Sequence, residues 1–476
     1  MCTLVYDEGG ARPGMLDQVP TLLEKLFLGP SVPRRAALAQ RAPRRWIERI
    51  QLAEFQSTLE RVNTHSPFYR QRFAERGIDI RGIKRPEDMG EFFTTSSDLR
   101  GRDTREFLCA TPQAGFETTG TTAKNKRLYF SNEEVHDIGF EGAVGLWNLG
   151  LRPEDRVVDA FDYAFWNAGI SLMHSLNAVG CFHMIASKLE PAEFYRRVRD
   201  YEFNVMIVDT AWLVSLTEIA ERQGTWPVKF IMAGSENMSE RTRSWIEGVW
   251  HTKVYQAYGQ TESLGASGIE CPAQKGYHLN EANFIFEILN PNEDGFGELV
   301  FSTITRKVMP LIRYRSNDIT RFLAEPCRCM LQKMRRIDRI QGRGDEIISC
   351  GMGMISPWIF EKLLEADARI TDDWQAAVLQ PHTRDVIELR LELRDGAGGS
   401  SRELAERENA LRQRFAAVFP YYEKNRQMGL YDLQIRWLPH GALRGKTGDA
   451  GDGARRKLRR VVDERFAKAA IPVHLR

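Results

Sequence analysis

Hydrophobic residues in the middle of the chain form short continuous runs, and segments with helical spacing lie between them. The runs at residues 157–158, 205–208 and 230–232 do not alternate with polar residues, which is typical of strands covered on both faces. Residues 212–222 and 239–250 have the apolar spacing of helices. This alternation predicts parallel strands layered with helices, an α/β fold.

Further elements flank this alternating centre. Residues 46–76 have helical spacing with one break at a Ser-Pro pair. Ser131 and Glu134 form a capping-box pair, which predicts a helix that begins there. An Asp-Gly turn separates two predicted antiparallel strands, residues 284–289 and 298–304.

The two ends of the chain differ from the middle. Residues 1–45 are rich in proline and arginine with weak periodicity, so we expect a surface lead-in or strap. Towards the C-terminus, a long polar helix at residues 401–418 lies between two further strands, which predicts a small α+β unit. We therefore expect two domains, residues 1–344 and residues 345–476.

The composition is that of a soluble globular protein without a strong overall charge. The 476 residues are 42% hydrophobic and 27% charged, with a formal net charge of +2. This balance gives no reason to expect nucleic acid or a membrane as a partner. We find neither a membrane-spanning apolar run nor a signal peptide, so we expect a cytoplasmic protein. The seven cysteines are sparse and odd in number, which argues against a disulfide framework.

One stretch indicates an anion site. Residues 118–126 place hydroxyl side chains around a glycine and end with two lysines. The backbone N–H groups and hydroxyls of such a loop can approach a phosphate without side-chain clash. The spacing of the usual P-loop is absent, so an ordinary surface loop is the alternative. The candidate phosphate contacts are Thr118, Thr119, Gly120, Thr121, Thr122 and Lys126.

Four motifs in a fixed order make the chain resemble a known family. This Thr/Gly loop is followed by Tyr-Gly-Gln-Thr-Glu ending at Glu262, Tyr-Arg-Ser-Asn-Asp ending at Asp318, and Gly-Arg-Gly-Asp ending at Asp345. The order resembles the adenylate-forming superfamily of acyl-CoA synthetases. The segments Gly-Tyr-His278 and Pro-Leu-Ile-Arg-Tyr314 look most like its phenylacetate-CoA ligase and coenzyme F390 synthetase-like branch.

The resemblance implies a two-step reaction. A carboxylate, here an aromatic or arylacetic acid, attacks the α-phosphate of ATP with Mg²⁺ bound, which gives an acyl-adenylate and pyrophosphate. Coenzyme A then displaces AMP. The resemblance also implies a large N-terminal adenylation domain and a small mobile α+β C-terminal domain, with Asp345 at the hinge between them. Relatives in this branch are often homodimers.

Motif matches assign the nucleotide contacts. Asp318 resembles the carboxylate that binds both ribose hydroxyls, and Arg343 resembles a second ribose or phosphate contact. Glu262 matches a Mg²⁺ ligand, a role that suits a carboxylate. Thr119 and Glu262 are expected to act with a lysine in catalysis. The segments that match the adenine site contribute Gly234, Ser235, Glu236, Tyr258, Gly259 and Thr261.

The resemblance places the catalytic lysine in the C-terminal tail. Lys457 matches best because the sequence after it is in register with the family, although Arg456 replaces the usual glycine. Lys446 is the alternative. Ala123 and Asn125 replace the usual glycine and proline of the phosphate loop, so a non-catalytic nucleotide-binding module stays an alternative function.

A separate set of residues indicates a metal. Cys271, His278, Cys327 and Cys329 offer three thiolates and one imidazole, a closed donor set of the structural zinc type. Part of the branch carries matching residues. The zinc would join the segment after the second motif to the segment after the third. Unrelated surface elements with free thiols are the alternative.

In the family fold, the acid lies between the segment around residue 163 and the strand that ends at residue 234. Aromatic side chains there would give a flat apolar wall suited to an aryl ring. Core packing explains each of them equally well. The candidate lining residues are Phe161, Tyr163, Phe165, Trp166, Trp212, Ala233 and Ala257.

The motifs do not identify the acceptor of the acyl group. Some relatives transfer it to an amine or to the thiol of a carrier protein. An adenylate-forming amide ligase or a carrier-loading enzyme is therefore the alternative to a coenzyme A ligase.

Overall fold

The computed structural model describes residues 31–118, 125–187, 189–381, 384–394, 400–444 and 458–465. Strands and helices alternate through the middle of the chain, which confirms the predicted α/β class. The described helices are α1 Val32–Arg41, α2 Arg44–His65, α3 Pro67–Glu75, α4 Ser96–Gly101, α5 Asn132–Asn148, α6 Ala168–Val179, α7 Pro191–Val198, α8 Thr210–Gln223, α9 Glu240–Trp250, α10 Pro357–Leu364, α11 Ser401–Val418 and α12 Pro420–Gln427.

The strands build five sheets in the described part of the chain. They are β1 Ala114–Glu117, β2 Arg127–Phe130, β3 Arg156–Ala160, β4 Phe182–Ile185, β5 Val205–Asp209, β6 Phe230–Gly234, β7 Lys253–Gln260, β8 Gly265–Ile269, β9 Tyr277–Leu279, β10 Phe284–Leu289, β11 Gly297–Thr303, β12 Tyr314–Thr320, β13 Phe322–Leu323, β14 Arg336–Ile337, β15 Ile348–Cys350, β16 Gly353–Ile355, β17 Ile370–Leu379, β18 Asp385–Leu393, β19 Tyr431–Leu438 and β20 Val461–Asp463.

A nine-stranded sheet forms the centre of the large region, by which we mean the described residues up to 344. Its strand order is β13-β14-β9-β8-β7-β6-β5-β3-β4. Strands β3 to β7 run parallel, and the pairing turns antiparallel between β7 and β8. One apolar cluster covers the face toward α5 and α6, and another covers the face toward α7, α8 and α9. The carboxyl ends of the parallel strands share one edge, where α/β sheets bind ligands.

Local signals in the sequence match the local structure. The hydroxyl of Ser131 accepts from the N–H of Glu134 at 3.1 Å and the carboxylate of Glu134 accepts in return, so the capping box and the helix after it are confirmed. The predicted antiparallel strands pair as β10 and β11. Between them, Gly295 adopts a φ of +82°, a conformation that favours glycine.

The described part of the N-terminal lead-in differs from the surface strap that we expected. Residues 32–41 form the helix α1, which packs against α5. Val32 and Ala36, one turn apart, are buried, and Arg35 binds Glu141 at 3.0 Å. Two small apolar residues are enough to seat a short helix but too few to give a clear period in the sequence. Within the described chain, every helix is too short or too polar to cross a membrane.

The C-terminal region, the described residues from 345 onward, has a sheet and an apolar core of its own. The four-stranded sheet has the order β19-β18-β17-β20. Strands β17 and β18 are antiparallel, while β19 and β20 add to the two sides in parallel. The core of this region draws its buried side chains from residues 352–461.

Charged side chains join the two regions. Arg444 donates to Glu236 at 2.8 Å and to Asp373 at 2.6 Å, and its side chain is only 5% exposed. Arg241 and the hydroxyl of Ser239 both donate to Asp372, at 2.9 and 2.7 Å. We call these residues the junction cluster. It places the C-terminal region directly beside the loop that follows β6.

Candidate nucleotide and acyl site

A buried ionic cluster lies where β7 ends. Lys126, just before β2, forms an ion pair with Glu262 in the short turn after β7. The hydroxyl of Tyr314 donates to the same carboxylate oxygen at 2.7 Å and lies 3.2 Å from the Lys126 ammonium. Burial alone would raise the pKa of Glu262, but the Lys126 charge and the two hydrogen bonds hold that pKa below its ordinary value. The carboxylate is therefore ionised and fixed.

The described ends of the Thr/Gly loop are held together by backbone contacts. The N–H of Thr118 donates to the carbonyl of Lys126 at 3.0 Å, and the N–H of Lys126 donates to the Thr118 hydroxyl at 3.1 Å. These bonds fix Lys126 beside Glu262. The remaining candidate residues of the loop lie outside the described residues, as do both candidate lysines; they are Thr119, Gly120, Thr121, Thr122, Lys446 and Lys457.

A second polar group lies between β7 of the nine-stranded sheet and β12 of the three-stranded sheet. Tyr258 on β7 donates its hydroxyl to Asp318 on β12 at 2.6 Å. Arg343 approaches the other carboxylate oxygen of Asp318 at 3.7 Å. Gly259 is required here because a Cβ would lie 2.3 Å from the carbonyl oxygen of Gly265 on β8. The Asp318 carboxylate is thus oriented by a phenol and faced by a guanidinium.

The loop after β6 carries the residues that match the adenine segment. Gly234 ends β6, and a Cβ there would lie 3.2 Å from the ring of Phe161. Ser235 has a φ of +76°. The carbonyl of Glu236 accepts from Thr210 at 3.1 Å, while its carboxylate binds Arg444. The candidate adenine segment is therefore held from both the large region and the C-terminal region.

A short turn that includes the end of the fourth motif leads into the C-terminal region. Residues 344–346 form a short 3₁₀ turn, and Asp345 lies within it. The backbone N–H of Arg460, just before β20, approaches the Glu346 carboxylate at 3.4 Å. The hinge role of Asp345 stays a prediction.

The predicted acyl-pocket residues are divided between the two faces of the sheet. Phe161 and Ala257 belong with the cluster that faces α5 and α6. Ala233 and Trp212 belong with the cluster on the opposite face. Trp212 packs edge-on against a phenylalanine with ring centroids 4.6 Å apart, and its Nε1 donates to a backbone carbonyl at 2.7 Å. The structure therefore brings Trp212 into the core rather than beside Phe161.

Strand β3 carries near its carboxyl end a buried carboxylate that the sequence did not single out. Asp159 is 0% exposed and accepts from the N–H of Phe161 at 2.7 Å and from the hydroxyl of Tyr163. Burial raises the pKa of Asp159 to about 6, although both hydrogen bonds act against the rise. Gly169 makes room for the Tyr163 ring, since a Cβ would lie 2.6 Å from it. Phe165, in contrast, is 71% exposed, and Trp166 is half-buried.

The four predicted zinc ligands meet beside β9. The thiol sulfurs of Cys271 and Cys327 are 3.6 Å apart, and the Sγ of Cys329 is 3.2 Å from Nε2 of His278. All four ligand atoms lie within 4.8 Å of one another. Two sulfurs on one tetrahedral zinc are about 3.8 Å apart for Zn–S bonds of ~2.3 Å, whereas a disulfide needs ~2.05 Å. The donor set and its spacing therefore fit zinc.

Sequence reasoning did not assign three residues that shape the site. Tyr314 was part of a motif, but its contact with Glu262 spans 52 positions of sequence. Arg444 and Glu236 are 208 positions apart. Asp159 is the fourth of the five residues of β3, and a carboxylate near the carboxyl end of a buried strand is the signal that could have found it.

A protein-family model described as AMP-binding enzyme matches residues 118–284. The chain is 27% identical to a phenylacetate-coenzyme A ligase of Pseudomonas putida, over 72% of this chain and 81% of that protein. It is 26% identical to a phenylacetate-coenzyme A ligase of Thermus thermophilus, over 89% of this chain and 98% of that protein.

Among solved structures, the chain is similar to 2-hydroxyisobutyryl-CoA ligase in the postadenylation state. The TM-score is 0.74 at 16% sequence identity, and the match covers 97% of this chain and 95% of that chain. The two proteins share a fold.

Proposed function

The chain belongs to the adenylate-forming superfamily, in its phenylacetate-CoA ligase-like branch, and on that premise we propose that it activates an aromatic or arylacetic acid with ATP and transfers the acyl group to coenzyme A. The observation that carries the proposal is the pair of polar groups at the ends of β7 and β12. One group is the ionised Glu262 beside Lys126, and the other is Asp318 oriented by Tyr258.

The nucleotide contacts follow from the chemistry of these groups. The two oxygens of Asp318 suit the two hydroxyls of a ribose, and Arg343 adds a cation beside them. Lys126, with the Thr/Gly loop, offers positive charge and donors to the phosphates. Gly234 lets the Phe161 ring pack directly against the backbone of the candidate adenine segment, since a Cβ there would lie 3.2 Å from that ring.

Glu262 would hold Mg²⁺, which prefers carboxylate, water and phosphate oxygens. When bound, that ion offsets negative charge on the phosphates. The chain's own contribution is to keep the carboxylate ionised, through Lys126 and Tyr314. A lysine of the C-terminal tail, Lys457 or Lys446, would stabilise the charge on the reacting carboxylate and α-phosphate.

The acid would lie on the α5/α6 face of the sheet, between Phe161 and the half-buried ring of Tyr163. Asp159 fixes the Tyr163 hydroxyl. The aromatic lining supports an aryl ring as the substrate's apolar part. Trp212 and Ala233 lie on the other face of the sheet and would act by packing the strand from behind.

Zinc would hold the antiparallel end of the sheet together. Cys271 follows β8 and His278 lies on β9, while Cys327 and Cys329 lie between β13 and β14. All four positions of a tetrahedral ion would be filled by protein, so the site would be structural. Cys271 already has a lowered pKa because Cys329 and His278 donate hydrogen bonds to its sulfur.

Product analysis by mass spectrometry tests the function. The purified protein is incubated with MgATP and a mixture of aryl and aliphatic acids, with and without coenzyme A. We expect an aryl-CoA and AMP only when coenzyme A is present, whereas the acyl-adenylate and pyrophosphate of the first step should form without it. An acyl-adenylate that persists with coenzyme A would instead indicate an amine or a carrier protein as the acceptor. The absence of adenylate from every acid would contradict the proposal.

A further inference from the structure

The loop that follows β19 carries two side chains across to the large region. The carboxylate of Glu392, which is 0% exposed, accepts from the backbone N–H groups of Gly441 and Leu443 at 2.7 Å each and so fixes the loop. His440 and Arg444, at the two ends of this fixed stretch, both contact carboxylates of the large region. A guanidinium stays charged at every ordinary pH, so of these two cations only the histidine titrates near neutral pH.

Both ring nitrogens of His440 face oxygens that can only accept a hydrogen bond. Nδ1 lies 3.2 Å from the carbonyl oxygen of Leu393, and Nε2 lies 3.4 Å from Oε1 of Glu218 on α8. A neutral imidazole has one N–H and can serve only one of these oxygens, whereas the protonated ring can donate toward both. The geometry of this contact therefore fits the imidazolium.

Glu218 depends on this contact as much as the histidine does. Its side chain is 20% exposed. Its Oε1 is shielded from solvent and meets no other hydrogen-bond donor of the described chain. In the part of the chain that the structure describes, its one ion pair is with His440. Because a shielded carboxylate oxygen without a partner is costly, the protonated ring stabilises Glu218.

Charged side chains of both regions surround the imidazole. Those that line the same cavity are Glu218, Glu236, Asp372, Asp373, Arg444 and Arg460. Arg444 pairs with two of these carboxylates, and Arg241 pairs with Asp372. From β18, the buried Glu392 adds a further negative charge that acts on the ring. Glu218 is thus the carboxylate of the cavity that is left to the imidazole.

We propose that protonation of His440 tightens the contact between the two regions, so that the orientation of the C-terminal region described above is favoured below neutral pH and weakened above it. This inference stands on the geometry of the interface and does not depend on the proposed function. The Glu218 contact raises the pKa of His440 above its ordinary value of 6.5, while burial acts against the rise. The stabilisation is therefore complete well below pH 6.5 and is lost as the pH rises through the raised pKa.

Hydrogen–deuterium exchange on the full-length protein tests the inference. The reporter is the segment 236–243, in which the backbone N–H of Ser239 donates to Asp372 of the C-terminal region at 3.3 Å. Each variant is compared with the wild type at the same pH, which cancels the pH dependence of the exchange chemistry. We expect His440→Gln and Glu218→Gln each to speed exchange about two- to fivefold at about pH 6 and to leave it unchanged at about pH 8.5, as for the loss of one partly exposed ion pair.

A second measurement follows the imidazole itself. The pKa of His440, read by NMR from the ring carbons, should fall in Glu218→Gln because the large region then supplies no negative charge to the ring. This measurement keeps the inference testable if His440→Gln does not fold. Glu361 on α10 titrates in the same range, since burial raises its pKa to about 7, but it is common to the wild type and both variants.

His136→Gln is the matched control. His136 is exposed on α5 and lies 3.3 Å from Asp137 within the same helix, so its loss should leave exchange of the segment unchanged at both pH values. Equal exchange in the wild type and His440→Gln at the lower pH would overturn the inference. So would an acceleration of the same size at both pH values, or a pKa of His440 that does not fall in Glu218→Gln.

Discussion

The two regions of the molecule differ in what their buried carboxylates contact. The large region holds carboxylates deep inside, with Asp159, Glu262 and Glu270 each no more than 2% exposed. The C-terminal region also buries a carboxylate, Glu392 at 0% exposed, which accepts from the backbone N–H groups of Gly441 and Leu443 just before the junction residue Arg444. Its Asp372 and Asp373 belong to the junction cluster itself. Buried charge is costly. In the large region, Asp159 and Glu262 lie at the candidate site, whereas Glu392, Asp372 and Asp373 of the C-terminal region support the contact between the regions.

Substitution in the Cys/His cluster of the large region should give the largest effect, in contrast to substitution of a cysteine in the C-terminal region. Cys271→Ser removes a fully buried ligand and should release about one equivalent of zinc. We expect the free energy of unfolding to fall by about 3–5 kcal/mol, because metal binding contributes directly to folding. Metal analysis and calorimetry measure both effects. Cys350→Ser, in the C-terminal region, is the control and should change little. Absence of metal from the wild type would contradict the zinc site.

Glu262→Gln tests the polar interior itself. We expect adenylate formation to fall about 10²- to 10³-fold, the effect of removing one preorganised electrostatic group. The variant also leaves the buried Lys126 without its counter-ion, so its melting temperature should fall. In the double variant with Lys126→Met, stability should recover while activity does not. Recovery of activity in the double variant would show that Glu262 acts only as a partner for Lys126.

Asp159 should make the stability of the large region depend on pH. Its pKa is raised in the folded state from 3.8 to about 6. As the pH falls from about 6 to about 4, the folded protein takes up this proton before the unfolded chain does, so the contribution of Asp159 to stability rises; above pH 6 it stays at its minimum.

Asp159→Asn removes that dependence. The difference in unfolding free energy between variant and wild type should shift by about 2–3 kcal/mol in favour of the variant between pH 4 and pH 7. Urea unfolding at the two pH values measures it. A difference that stays constant would mean that Asp159 has an ordinary pKa in the folded protein.

Arg444→Gln should have the smallest effect, because it loosens a contact between regions rather than a core. We expect a loss of about 1–2 kcal/mol, together with partial separation of the two unfolding transitions in calorimetry. The control is Arg402→Gln on the exposed face of α11. Arg402 pairs with Glu406 in solvent, so its loss should cost less than about 0.5 kcal/mol. Equal effects of the two substitutions would remove any special role for the junction.

The sequence was informative where a signal is local. The buried runs predicted β3, β5 and β6, and the Ser131 capping box predicted the start of α5, because each depends on a few neighbouring residues. Strand β17 was missed because its register shifts between Ile370 and Trp374. Such an irregularity breaks the alternation on which strand prediction relies.

The candidate site was predictable as a set of motifs but not as an arrangement. The motifs gave Lys126, Glu262 and Asp318, whereas the partners Tyr314 and Arg444 required tertiary contacts. Trp212 shows that the type of a residue alone does not determine where its side chain lies. Its type suggested a pocket wall, but which face of the sheet a helix covers is decided by packing. The sequence pattern carries no direct record of that choice.

The ionic cluster at the end of β7 also bears on how the chain acquires activity during synthesis. The Lys126 ammonium and the Tyr314 hydroxyl are separated by 188 positions in sequence. Contacts over such sequence distances form slowly, because the entropy cost of closing a long loop arises before the contact can offset it. Two-thirds of the polypeptide must therefore leave the ribosome before these groups can meet. A nascent chain will bury most of its parallel strands well before the ionic cluster of the candidate site can form.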